Sequence, residues 1–182
     1  MLKKILIGAA LILVLFVAVV AAAVMFAPTD FAVQREIVIN KPRAEVFEYA
    51  KNLKNQNDWG PWFKRDPAMK QEFNGTDATP GFTSKWTSRN PEVGSGEQEI
   101  KRIVPNERID TELRFTEPMN STADAYLTTE DAGPDQTKVK WGFTGSMPRP
   151  FNLFPLIMDL DAAVGKDYEE GLATMKQILE KR

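Results

Sequence analysis

Hydrophobic positions fall into three unlike regimes along this chain. From Ile5 to Ala27 every side chain is apolar or small, 23 residues without a charge, and Lys3 and Lys4 stand directly before them. A helix of that length covers about 34 Å, enough to cross a hydrocarbon core of about 30 Å. Only a helix or a closed barrel satisfies its own amides in lipid, so the run reads as a transmembrane helix. Lys3 and Lys4 put the N-terminus in the cytoplasm and the rest of the chain on the far, periplasmic or extracellular side. The rival is a cleaved signal peptide, with Ala21–Ala23 as small residues for cleavage, although such cores usually span only about 7–15 residues. The expected organisation is a cytoplasmic end (1–4), a transmembrane helix (5–27) and an exported domain (28–182).

A period of two takes over after Pro28. Phe31, Val33, Ile37 and Ile39 alternate with polar or small neighbours, the pattern of a half-buried strand. Arg35 falls on the apolar face. It reads either as a side chain snorkelling past the core or as a cation inside a cavity, awaiting an anionic group. Asn40-Lys41-Pro42 then opens a helix carrying Val46, Phe47, Ala50 and Leu53. Asn57 to Phe63 contains Gly60-Pro61 and is too rich in breakers for a long helix. Strands and turns follow: Met69–Phe73, Phe82–Ser88, Glu97–Val104, Ile109–Phe115, a weaker Thr122–Thr129, and Val139–Phe143. The turns are Asn74-Gly75, Pro80-Gly81, Gly94-Ser95-Gly96, Pro105-Asn106 and Gly133-Pro134-Asp135. Such a succession implies an antiparallel meander.

The third regime is helical. Ile157, Leu160, Val164, Tyr168, Leu172, Met175 and Leu179 keep three-to-four-residue spacing over about 25 residues, with charged residues opposite them. The order strand, short helices, about six strands, long helix defines an α+β domain with one amphipathic helix against a curled sheet.

Composition narrows the chemistry. The 182 residues include neither Cys nor His. Disulfides, thiol nucleophiles and imidazole bases are therefore excluded, as is a Ser-His-Asp triad, and zinc is left without its usual ligands. The chain keeps 25 acidic but, beyond the anchor, only 21 of its 23 basic residues, so the exported part carries about −4. That is no polyanion binder, and nucleic acid is not expected as a partner. No Ca²⁺ loop or phosphate loop has the required spacing, and neither cofactor nor catalytic residue is assigned.

The residues resemble a family. Arg35 to Pro42 with Val46-Phe47, Trp59-Gly60-Pro61-Trp62 with Asp66-Pro67, and Gly81 with Lys85 to Ser88 carry the likeness. So do the Gly94–Gly96 turn, Ile103 to Ile109, Val139-Lys140-Trp141, and Gly165 through Leu172. Together they are similar to the START-like helix-grip superfamily (SRPBCC), in its polyketide cyclase/dehydrase and lipid-transport branch, over about residues 31–181. No single piece is specific; the ordered set is. The resemblance implies a helix-grip fold, a curled antiparallel sheet of about seven strands around the long C-terminal helix. It also implies a cavity between them for a hydrophobic small molecule or lipid. Members include carriers and enzymes, so fold alone does not choose a function.

Candidate ligand contacts follow. Trp59, Trp62, Phe63, Trp86, Trp141 and Phe143 are either cavity walls or plain core, Trp141 and Phe143 leaning to core by their strand periodicity. Met147 to Met158, with Phe151 and Phe154, is either a lid over the cavity or a loop folded on the core. Asp159, Asp161, Asp167, Glu169 and Glu170 read as a solvated helix face. The expected activity is binding, with transport as an extension, by a membrane-anchored domain. Rivals are a cyclase-, dehydratase- or hydrolase-type enzyme in the same cavity, and an interaction module for a membrane protein. The sequence names no protein partner and no oligomeric state.

Overall fold

A computed structural model describes residues 2–153 and 159–182. Its elements are α1 (Leu2–Phe26), β1 (Asp30–Ile39), α2 (Arg43–Ala50), α3 (Gln56–Trp59), α4 (Pro61–Arg65), β2 (Lys70–Asn74) and β3 (Thr83–Thr87). They continue with β4 (Ser95–Val104), β5 (Arg108–Glu117), β6 (Ser121–Gly133), β7 (Gln136–Ser146) and α5 (Leu160–Glu180). The seven strands form one open antiparallel sheet in the order β1-β7-β6-β5-β4-β3-β2. The α+β fold expected from the residue pattern is the one observed.

The chain divides into two compact units, Met1–Phe31 with Ser146–Asp159, and Ala32–Gly145 with Leu160–Arg182. In the first, α1 is apolar and long enough to cross a membrane, and none of the apolar window in its Lys3–Phe26 span is buried. Its last carbonyls, which a helix leaves unpaired, are taken by side chains of the later segment. Arg149 donates from Nε to the Val24 carbonyl (2.9 Å) and from Nη2 to that of Met25 (2.8 Å). Asn152, 1% exposed, donates to the carbonyls of Val24 (2.9 Å) and Ala27 (3.0 Å).

In the second unit, alternation along each strand sends one set of side chains inward. Ile39, Val46, Phe47, Val139, Leu172, Met175 and Leu179 are core residues, each buried at or below 2% exposure. Leu53, Phe82 and Ile100 form a neighbouring cluster. β6, the weakest strand in the sequence pattern, is the longest at 13 residues. Its inward positions are Ala123, Ala125, Leu127 and Thr129, and the two alanines and the threonine bury without a strong hydrophobic signature. Gly96 differs as well. It lies in β4 rather than in a turn, opposite Trp86 on β3 and Phe115 on β5. A Cβ there would stand 2.9 Å from the Trp86 ring, so only Gly lets that ring lie flat over the strand.

Arg35 is tied to α5. Its Nη1 and Nη2 each donate to an Asp161 carboxylate oxygen at 3.0 Å, and Nε donates to Glu169 at 2.7 Å. Gly165 makes this approach feasible, because any side chain there would collide with the guanidinium. The ion pair holds the Asp161 carboxyl below its ordinary range, the Arg35 hydrogen bond being the main cause.

Candidate functional site

Sheet register assembles the site. Gln71, Trp86, Gly96 and Phe115 form one inward row across β2–β5, and Ser84, Gln98 and Leu113 form the next. Opposite them, Gly60 is extended and Pro61 occupies the first turn of α4, so the chain breaks between α3 and α4. That break turns Trp62 and Phe63 toward the sheet, while Val164, Asp167 and Tyr168 of α5 and Phe143 of β7 complete the enclosure. The result is a cavity of about 310 Å³, at the small end for ligand pockets.

Six aromatic residues, Trp62, Phe63, Trp86, Phe115, Phe143 and Tyr168, contribute to its walls. The Trp86 and Phe115 rings meet edge to face at 5.9 Å, and Phe143 lies 6.0 Å from Tyr168. Behind them Trp141 stacks on Tyr168 at 3.8 Å and 5°, with the edges of Trp59 (4.7 Å) and Trp62 (5.6 Å) against it. Trp59 is fully buried, and its indole N–H has no hydrogen-bond partner among the described residues. Burial pushes the Tyr168 phenol well above its ordinary range, so it stays neutral.

The polar groups are few and largely uncharged. Asn57 and Gln71 exchange amide hydrogen bonds, 2.8 Å each way. Gln98 donates to the Thr111 hydroxyl at 3.0 Å. Asp167 is held by Arg65, whose Nη1 donates to it at 2.8 Å, and this keeps the Arg65 guanidinium firmly charged. Glu117 accepts from the Ser95 hydroxyl at 3.3 Å. Among the described residues no group of three or more His, Cys, Asp or Glu side chains is placed to hold a metal ion.

The residues singled out in the sequence separate into groups. Trp62, Phe63, Trp86 and Phe143 line the cavity. Trp59 and Trp141 are core behind it, and Arg35 is spent on Asp161 and Glu169 rather than facing the space. Phe151, 60% exposed, belongs to the unit containing α1. Phe154 and the rest of 154–158 lie outside the described residues. The acidic face of α5 is less uniform than its composition suggests, since Asp161 and Asp167 each hold an arginine. Sequence reasoning did not single out Gln56, Asn57, Gln71, Ser84, Gln98, Leu113 and Tyr168 as lining residues. Period-two alternation was available for Ser84, Gln98 and Leu113, which share a face with Trp86 and Phe115.

An open antiparallel sheet gripping a C-terminal helix, with an aromatic cavity in its concave side, defines a helix-grip domain. Solved structures agree on the fold. The Aha1 dimer from Colwellia psychrerythraea has a TM-score of 0.56 at 16% identity, covering 82% of this chain and 96% of that one. Protein MLL2253 from Mesorhizobium loti reaches 0.60 at 14% identity, with coverages of 83% and 98%. Protein CV1439 from Chromobacterium violaceum gives 0.58 at 12%, with coverages of 82% and 96%. No curated protein matches the chain in sequence. The family model described as polyketide cyclase / dehydrase and lipid transport matches residues 30–180, and the chain belongs to that family.

Proposed function

We propose that this protein binds a hydrophobic small molecule in the cavity between β2–β5, β7 and α5, and that α1 anchors it in a membrane. The observation that carries the first part is the cavity, about 310 Å³ walled by Trp62, Phe63, Trp86, Phe115 and Phe143. A ligand burying about 300 Å² of apolar surface there gains about 7 kcal/mol before the costs of association. Family membership supports the reading, because ligand binding is compatible with its fold. Of the lining carboxylates, Asp167 is paired with Arg65 and Glu92 and Glu117 lie on the exposed margin, so binding rather than acid–base chemistry is the better-supported use. Trp62, Phe63, Trp86 and Phe143 are the proposed ligand contacts.

The ties from Arg149 and Asn152 to the carbonyls of Val24, Met25 and Ala27 support a retained α1. They cap a continuous helix, and cleavage near Ala21–Ala23 would remove most of it. In the resulting topology Lys3 and Lys4 stay in the cytoplasm and the domain is exported. Two measurements test this reading. Titration of the full chain in lipid nanodiscs with a small aromatic alcohol should quench or shift indole fluorescence saturably, and a flat titration contradicts binding. Intact mass of the chain from carbonate-washed membranes should include residues 1–27, whereas a product starting near Val24 contradicts the anchor.

A further inference from the structure

Charge in the cavity lining has one sign. Among the described residues its charged members are Glu92 and Glu117, both on the exposed margin, and Asp167, and no Lys or Arg lines it. The five residues outside the description, Phe154 to Met158, carry no charge in sequence and cannot reverse that balance. Asp167 is paired with Arg65, whose charge Glu92 also feels; counted with that cation, the lining carboxylates still leave a net negative charge. Deeper in, the polar groups are amides and hydroxyls: Gln56, Asn57, Gln71, Ser84 and Gln98. Arg35, the cation that could have faced an anionic head, is held by two carboxylates instead.

Size restricts the ligand as well. A cavity of about 150 Å³ holds one benzene ring, so about 310 Å³ holds two fused rings or about a dozen heavy atoms. A two-chain phospholipid does not fit within it.

We infer that the ligand class is a small aromatic or alicyclic compound of about a dozen heavy atoms with a neutral or cationic polar group, and that carboxylates and phosphates are rejected. This rests on the reading of the cavity as a binding site and adds the selection rule. An anionic head would stand near the carboxylates of Glu92 and Glu117 with no Lys or Arg among the described lining residues to compensate, a repulsion of the order that changes affinity about tenfold. Neutral donors have the Gln and Asn carbonyl oxygens to meet them.

Three probes of matched shape test it: 2-naphthylmethanol, 2-naphthylmethylamine and 2-naphthoate. Each is titrated calorimetrically into the full chain in uncharged nanodiscs, with empty nanodiscs subtracted. The alcohol and the amine should bind, with the carboxylate at least about tenfold weaker. The E92Q/E117Q double variant should narrow that gap, and so should high salt. Circular dichroism of the variant checks that the fold persists. Equal or tighter binding of 2-naphthoate overturns the selection rule while leaving the cavity as a binding site. A gap that the double variant leaves unchanged also overturns it, since the carboxylates would then not be the cause. Binding by none of the three overturns the site itself and the rule with it.

Discussion

Filling the cavity from inside is the sharpest perturbation the fold offers. Ser84 sits on β3 between Phe82 and Trp86, pairs across to Gln98, and lines the space. Ser84→Phe adds one phenyl ring at an inward position. Since a ring occupies a cavity of about 150 Å³, roughly half of the 310 Å³ disappears. For the protein this is nearly neutral: burying the ring gains about 1.5–3 kcal/mol and imperfect fit costs about 1–3 kcal/mol. For a ligand it is not neutral. Halving an apolar contact of about 300 Å² removes about 3–4 kcal/mol, or more than about 100-fold in affinity. The assay is a calorimetric titration of 2-naphthylmethanol into the reconstituted full chain, paired with a thermal melt. The expected result is a melting temperature within a few degrees of the parent and binding reduced by about two orders of magnitude. An unchanged affinity in a folded S84F variant would refute the argument, because the ligand would then be bound elsewhere.

Other expectations follow from the same geometry. Trp141→Ala removes a ring that is 4% exposed and stacked on Tyr168, so it should cost about 3–5 kcal/mol of stability in denaturant titration; loss of binding without loss of stability would make Trp141 a wall rather than core. Asp161 is held low by Arg35, so the stabilisation from this pair is present above the ordinary Asp range and lost as pH falls through the lowered value. Carboxyl NMR should find Asp161 titrating below the ordinary Asp range, and Arg35→Gln should return it upward; no movement would mean the ion pair is absent in solution. Asn152→Ala leaves the Val24 and Ala27 carbonyls short of a donor, and loss of a buried hydrogen bond costs about 1–3 kcal/mol. Hydrogen exchange at the Met147 amide, bonded to the Thr29 carbonyl at 2.8 Å, should then rise about fivefold or more. Unchanged exchange would show that Asn152 does not hold that segment.

Legibility in the sequence tracked how local each signal was. Strands with strong alternation, such as Ile109 to Phe115, declared both their existence and their inward face. β6 was faint because three of its four buried positions are Ala123, Ala125 and Thr129, whose burial is dictated by the neighbouring strands rather than by their own hydrophobicity. The α3–α4 break was written in Gly60-Pro61, and so was its brevity. Arg35 defeated local reading. An arginine on an apolar face is compatible with a snorkel or a cavity cation, and only the distant Asp161 and Glu169, more than 120 residues away, decide for an ion pair. The tryptophans divide for the same reason. Trp62 faces space and Trp59 does not, although three residues and one turn separate them. The polar members Gln71 and Gln98 carry no motif; only their register beside Trp86 and Leu113 places them at the cavity.

One measurement bears most directly on the bound state: intermolecular NOEs between 2-naphthylmethanol and the full chain in nanodiscs with deuterated lipid. The account predicts contacts from the naphthyl protons to the indoles of Trp62 and Trp86 and to the ring of Phe143, with those to Trp141 weak or absent. Contacts confined to α1 or to surface residues, with the Trp62 and Trp86 resonances unmoved, would contradict it.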